Sequence, residues 1–301
     1  MARVRKGASE CEQGAARQAA PCLCLCAIEM NITVSDLIDI MEELAPSSLA
    51  ESWDNVGLQV GRLDQPVHKV IIALDPTPPV VAFACMEKAD LLITHHPLIF
   101  PSVKNVNLDL YPGNIIGEAV KNGLTIYAAH TNLDSCAGGV NDIMANRIKL
   151  NNIKVLKPIC SDAFPHANTG LGRIGDLEES LSLKEFAEEV QQELQLASMK
   201  VAGDPHMAIQ RVCVCCGSGS SFLKDFLACG ADVYVSGDLH YHDGRLTEMA
   251  GKSLIDIGHF SSEHLIVEAL ATILDNAFLE RDWKLSVVPY TKESDPFRII
   301  F

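Results

Sequence analysis

A layered α/β fold with two similar halves is what this sequence predicts, and three observations carry the prediction. From residue 30 onward, short apolar runs that stop at turn residues alternate with segments of helical period. The alternation loosens between about 151 and 207 and then resumes. Most of the histidines stand directly after the predicted strands.

The elements follow in order. Residues 33–44 place Val34, Leu37, Ile38, Met41 and Leu44 at helical spacing, with Ser35 and Asp36 near the start. Val70 to Leu74 is an apolar run halted by Asp75-Pro76, a strand ending in a turn. A helix over 79–88, a strand over 90–94, a helix over 113–122, a strand over 124–129 and a helix over 139–148 complete the first half. In the middle section only 182–196 is clearly helical, with Leu183, Phe186, Val190 and Leu194 on one face. The second half reads as strand 211–215, helix 221–229, strands 232–236 and 253–257, a helix over about 262–277, and a last strand over 285–290. The expected lobes are therefore about 30–150 and 208–301.

Composition narrows the function. Of 301 residues, 48% are hydrophobic and 21% charged, which is ordinary for a folded globular chain. The net charge of −15 argues against a general nucleic-acid or anionic-membrane binder, since polyanions need a cationic surface. No apolar stretch approaches the roughly 20 residues that span a bilayer. The eleven cysteines are scattered, several inside apolar runs such as 212–216, and read as small core residues of a cytoplasmic, reduced protein. Cys22, Cys24 and Cys26 lack the spacing of a zinc knuckle. Residues 1–29 are expected to be a dispensable extension or the product of a start assigned too far upstream.

The chemistry gathers at four strand ends. These carry His95-His96, then His130-Thr131-Asn132-Leu133-Asp134, then the stretch from Asp238 to Asp243 with His240 and His242, and finally His259 with Glu263. Ligands in parallel α/β sheets bind at the carboxyl ends of strands, so these ends form one candidate cluster. Imidazole with carboxylate suits Zn²⁺, Fe²⁺ or Mn²⁺. A metal pair needs carboxylates able to bridge, which Asp134 and Glu263 can supply. Taken singly, His95-His96 reads equally as a polar pair at a strand end, and Asp134 as a helix cap. Two further loops are notable. Trp53-Asp54-Asn55 sits beside a glycine, as a candidate substrate-binding turn or one anchored by a buried Trp. The Gly/Ser stretch 216–221 reads as a tight turn or an anion cradle, without the Walker pattern.

Together these residues resemble the Nif-three-like family (NGG-interacting factor three-like), whose members are described as GTP cyclohydrolase I type 2 homologues. The resemblance covers most of the chain from Met30. It rests on Ser-Trp-Asp-Asn-Val-Gly-Leu at 52–58, Thr-His-His-Pro at 94–97, His-Thr-Asn-Leu-Asp at 130–134, Gly-Gly-Val-Asn-Asp at 138–142, Ser-Gly-Asp-Leu-His-Tyr-His-Asp at 236–243 and Gly-His-Phe-Ser-Ser-Glu at 258–263. It implies a two-lobed α/β fold, a dinuclear site between the lobes and a ring-shaped homohexamer. Carried over, His96 and Asp134 hold one divalent metal, His95 and His259 the other, and Glu263 bridges them. The implied activity is metal-dependent hydrolysis of a nucleotide or related small molecule, with Glu263, His130, His242 and Asp243 as candidate catalytic groups. A phosphoesterase or a non-catalytic metal-binding scaffold are the alternatives.

Overall fold

The computed structural model describes residues 31–159 and 168–300. The expectations for residues 1–29, including Cys22, Cys24 and Cys26, lie outside the described residues. In chain order the elements are α1 (Val34–Leu44), β1 (Gly57–Val60), β2 (Lys69–Ala73), α2 (Pro78–Met86), β3 (Leu91–Thr94), α3 (Gly113–Asn122), β4 (Thr125–Ala128), α4 (Thr131–Ser135) and α5 (Val140–Arg147). There follow β5 (Asn151–Pro158), β6 (Gly170–Ser182), α6 (Leu183–Glu193), β7 (Lys200–Ala202), β8 (Ala208–Ser218), α7 (Leu223–Ala228), β9 (Val233–Gly237), α8 (Tyr241–Met249), β10 (Ser253–Asp256), α9 (His259–Glu263), α10 (Leu265–Glu280) and β11 (Ser286–Pro289).

The strands form two sheets. The first has the order β1-β4-β3-β2-β11, parallel except for β1. The second has the order β5-β6-β8-β9-β10-β7, with a parallel centre of β8, β9 and β10. Both sheets are covered on both faces, so their central strands are almost wholly buried, and the two-residue period sorts the side chains into layers. Val70 and Ile72 of β2 join Val212 and Val214 of β8 in the main core, together with Leu270 and Leu274 of α10. Ile71 and Ala73 point the other way, onto Val80, Val81 and Ala84 of α2. Cys213 and Cys215 face Leu223 and Phe226 of α7. Cysteine here is a small core residue, as its apolar neighbours in the sequence predict.

Local signals set the helix starts. At α6, Ser182 accepts from Glu185 N (3.2 Å) while Glu185 accepts from Ser182 N (2.9 Å), the reciprocal cap that satisfies two end amides. Thr33 and Asp36 pair similarly at α1.

The division into lobes differs from the linear expectation. The stretch 151–207 is not an irregular connector, because β5, β6 and β7 all belong to the second sheet. Its strand signal is weak: β6 carries Gly170, Gly172, Gly175, Glu178 and Glu179, residues poor in strand propensity. Likewise β11 leaves the second half and pairs with β2 in the first sheet, Val287 opposite Val70. The second sheet thus takes in the middle section as well, and β11 alone of the later strands crosses back to the first sheet.

Candidate metal centre

The C-terminal ends of the two parallel centres face one another. β3 delivers His95 and His96, and β4 leads through His130 into α4, which carries Asp134. From the second sheet, β10 leads through Gly258, at φ +84°, into α9, which carries His259 and Glu263. These two are one helical turn apart and meet, with His259 Nε2 3.0 Å from Glu263 Oε2.

All five expected ligands come together. His95 Nε2 lies 3.6 Å from Asp134 Oδ1 and 3.7 Å from Glu263 Oε1. His96 Nε2 lies 3.0 Å from Glu263 Oε2 and 3.4 Å from His259 Nε2. Two sets of atoms share Glu263, His95 with Asp134 and His96 with His259, and a third set joins His130 to His95 and His96. This differs from the pairing that the resemblance implies. Adjacent residues on extended backbone point their side chains apart, so His95 turns inward towards Asp134 while His96 turns outward towards the second sheet.

Each imidazole is held by the nitrogen facing away from the cluster. His95 donates Nδ1–H to the carbonyl of Ala129 (2.9 Å), His96 to Asp75 (2.8 Å), and His259 to Asp238 (2.7 Å). Oriented this way, all three Nε2 atoms point their lone pairs inward when the rings are neutral, the arrangement that metal-ligating histidines take. Asp75 and Asp238 are absent from the sequence-level set. The available signal was that each is a carboxylate standing directly after a strand.

The inner atoms have no partners of their own. His95 Nε2, Asp134 Oδ1 and Glu263 Oε2 are buried without a hydrogen bond. Glu263 Oε2 is close to two imidazoles but off the line of either ring N–H. Buried polar atoms left unpaired are costly, and three pointing at one another form a group that could hold a metal ion. The charges of these groups are mutually dependent. Burial opposes ionisation of His96, but Asp75 and Glu263 outweigh it and lift the ring to about 10. Glu263, helped by Asp238, lifts His259 to about 9 against its burial. Burial works against the Glu263 carboxylate too, yet His259, His95 and His96 hold it far below the usual range. Asp134 is raised, burial outweighing the pull of His95.

Glycine makes room for the bridge. Gly217, at φ +70°, lies against Glu263, and a Cβ there would collide with Oε1. The Gly/Ser stretch is accordingly not an open anion cradle. The amides of Cys216 and Gly217 donate to Asn141 Oδ1 (2.9 Å) and Ser262 Oγ (2.8 Å).

The remaining predicted residues divide. His130 joins the cluster, its ring 5.2 Å from that of His95 and 5.4 Å from that of His96. Asp54 accepts from His130 Nδ1 (3.0 Å) and from Thr131 N (3.0 Å). These bonds outweigh burial and hold the Asp54 carboxyl well below its ordinary range. Trp53 is not a buried anchor. It is 57% exposed, with its ring 5.8 Å from Phe100 and 6.1 Å from His130. Asn55 ties this turn to the carbonyl of Ile99 (2.6 Å). His242 is exposed on α8 against Tyr241. Asp243 accepts from His240 N (2.7 Å) and Ser220 Oγ (2.5 Å), as the cap of that helix. Among the described residues neither of these two bonds to the cluster.

Known proteins share this arrangement of chain. The sequence profile of Duf34/NIF3 (NGG1p interacting factor 3) matches residues 32–296. A protein of Clostridium perfringens named GTP cyclohydrolase 1 type 2 homolog is 32% identical, over 89% of this chain and 99% of its own. One of the same name from Streptomyces coelicolor is 34% identical, over 88% and 93%. A crystal structure from Staphylococcus aureus, 30% identical, superposes with a TM-score of 0.84 over 90% of this chain and 100% of that one. The two-sheet α/β architecture, the strand-end cluster and these matches lead to one conclusion: the chain belongs to the Duf34/NIF3 (NGG1p interacting factor 3) family.

Proposed function

We propose that the chain holds two divalent transition-metal ions, Zn²⁺, Fe²⁺ or Mn²⁺, and is a metal-dependent hydrolase of a nucleotide or related small molecule. The observation that carries the reading is the set of unpartnered buried atoms, His95 Nε2, Asp134 Oδ1 and Glu263 Oε2, converging from two sheets. Their nitrogen and oxygen donors fit such ions in kind, and Glu263 offers one oxygen to each set. Bound there, a metal pair supplies Lewis acidity that lowers the pKa of water and stabilises charge developing on substrate.

The chain's own groups would do the rest. Asp75 and Asp238 orient His96 and His259, and the carbonyl of Ala129 orients His95. His130, aligned by Asp54 and close enough to His95 and His96 to share a metal with them, would in this reading stay unligated and move a proton at its Nε2. Trp53 and Phe100 offer exposed aromatic surface next to it, where part of a substrate could lie. The names of the curated relatives support a nucleotide, and with the family resemblance we extend the reading to a cytoplasmic, ring-shaped homohexamer.

The test is metal content per chain on untagged protein, followed by turnover of a nucleotide panel by wild type and Glu263→Gln. About two equivalents, with turnover lost in the variant, supports the hydrolase. No metal after reconstitution sinks it. Two metals without turnover leave a metal-binding scaffold.

A further inference from the structure

Among the described residues, Cys85 and Cys229 are the only free cysteines that are partly exposed. Their surroundings differ. Cys85, in α2, is raised above the ordinary thiol range by burial and by Glu118. Cys229 stands directly after α7 and packs against the small apolar cluster that contains Cys213. Backbone pairing brings the two sulfurs to one place. Asp232 N donates to the carbonyl of Arg211 (2.8 Å), so the chain re-enters the sheet beside β8, three residues after Cys229 and level with Arg211. Arg211 and Cys213 are two apart on an extended strand and leave it on one face, and Arg211 lines the same pocket as Cys229. That pocket, of about 280 Å³, admits a small molecule to Cys229.

The donors around the Cys229 sulfur favour its thiolate. The S–H of Cys213 donates to it, and with the Ala231 amide and the nearby Lys252 ammonium this outweighs burial and draws the thiol down to about 6. Lys252 is itself held in place, with Nζ on the carbonyl of Ala231 and 5.5 Å from the centre of the Phe226 ring. When protonated, Cys229 donates instead to the carbonyl of Phe226 (3.1 Å). Cys213 is fully buried, and burial pushes it up, so it stays a thiol. Reversible sulfur oxidation needs these two parts: a partly exposed thiolate near a cation, and a second thiol beside it.

We propose that Cys229 and Cys213 form a peroxide-reactive thiol pair, a modification site made of residues outside the metal centre. First the Cys229 thiolate attacks one oxygen of a hydroperoxide such as hydrogen peroxide. An S–O bond forms, the O–O bond breaks, and the departing hydroxide takes a proton from solvent. Next the Cys213 sulfur attacks the sulfur of the Cys229 sulfenic acid. The S–O bond breaks, and the Cys213 proton leaves with the hydroxide as water. One hydrogen peroxide is reduced to two waters while two thiols become one disulfide. The link ties the end of α7 to β8. Neither bound metal nor turnover enters this chemistry.

The full chain, Zn²⁺-loaded and separately metal-free, is treated with hydrogen peroxide, alkylated and digested with trypsin; Zn²⁺ is chosen because it has no redox chemistry of its own. Cys213 falls in the fragment 212–224 and Cys229 in 225–245. The expected product is a link between these two fragments that dithiothreitol reverses and that is absent from Cys229→Ser. In Cys213→Ala the link should be absent and Cys229 should be trapped by dimedone as the sulfenic acid. Before oxidation, iodoacetamide should modify Cys229 about 3- to 10-fold faster than Cys85 at pH 7. The midpoint of that pH–rate profile, about 6 in wild type, should rise in Cys213→Ala, which lacks the S–H donor. Peroxide-treated wild type in which Cys229 stays reduced overturns the proposal. So does a link that persists in Cys213→Ala, since Cys215 or Cys216 would then be the partner. The wild-type fragment map and the comparison with Cys85 decide the matter even where a variant does not fold.

Discussion

Asp75 accepts a hydrogen bond from Nδ1 of His96 at 2.8 Å, and this bond decides which ring nitrogen faces Glu263. Outer partners of this kind commonly contribute 10- to 100-fold to metal affinity. Asp75→Asn should therefore weaken metal binding by about that factor while the fold is retained. Chelator competition reads it, and unchanged affinity would show that His96 needs no orienting partner.

Protons and metal compete for His96 and His259, and the direction is fixed by their raised pKa values of about 10 and 9. Both shifts favour protonated rings in the metal-free protein, so metal uptake should release protons and tighten as pH rises. Stability gives a second reading. A folded pKa above the unfolded value contributes fully below about 6.5 and is lost as pH climbs through 9 to 10. Metal-free protein should lose Tm over that window, and metal-loaded protein should not. Proton release is measured by calorimetry in buffers of different ionisation enthalpy.

Gly217 is pressed against Glu263, where a Cβ would meet the carboxylate. Gly217→Ala adds a Cβ where Oε1 stands and strains a left-handed φ, at a cost of roughly 1–3 kcal/mol. The expected outcome is a lower Tm together with loss of bound metal. Full metal occupancy in this variant would show that Glu263 has room elsewhere.

Arg173 is fully buried and spends its guanidinium on Asp142 and on the carbonyls of Cys136, Gly170 and Gly172. It thereby pins the α4–α5 region that carries Asp134 onto β6. Arg173→Ala leaves the Asp142 charge unpaired and should cost about 3–5 kcal/mol, read from the denaturant midpoint. A loss under about 1 kcal/mol would mean that water replaces the pair.

His130 touches the cluster yet stands outside the five ligands. His130→Ala should keep metal content and lower turnover of a hydrolysed nucleotide about 100- to 10,000-fold. Asp54→Asn should move in the same direction by less, since it removes orientation but leaves the ring. Loss of metal in His130→Ala would instead make it a ligand.

Much of this was written locally. Runs such as Leu91–Thr94, apolar and cut off by His95, declare both a buried strand and what stands at its end, because burial on both faces demands continuous apolarity. His95, His96 and His259 of the cluster were legible for the same reason, as polar groups just beyond apolar strands, with Asp134 and Glu263 following on short helices. Tertiary structure alone decided the rest. Which sheet β11 or β6 joins depends on pairing partners far away in the chain, and no local pattern encodes that. The grouping of His95 with Asp134 and of His96 with His259 follows from the direction in which two adjacent side chains leave the backbone once two sheets face each other. The roles of Asp75, Asp238 and Gly217 lie in contacts with His96, His259 and Glu263, each tens of positions away in the chain, where sequence patterns of a few residues carry no distance information.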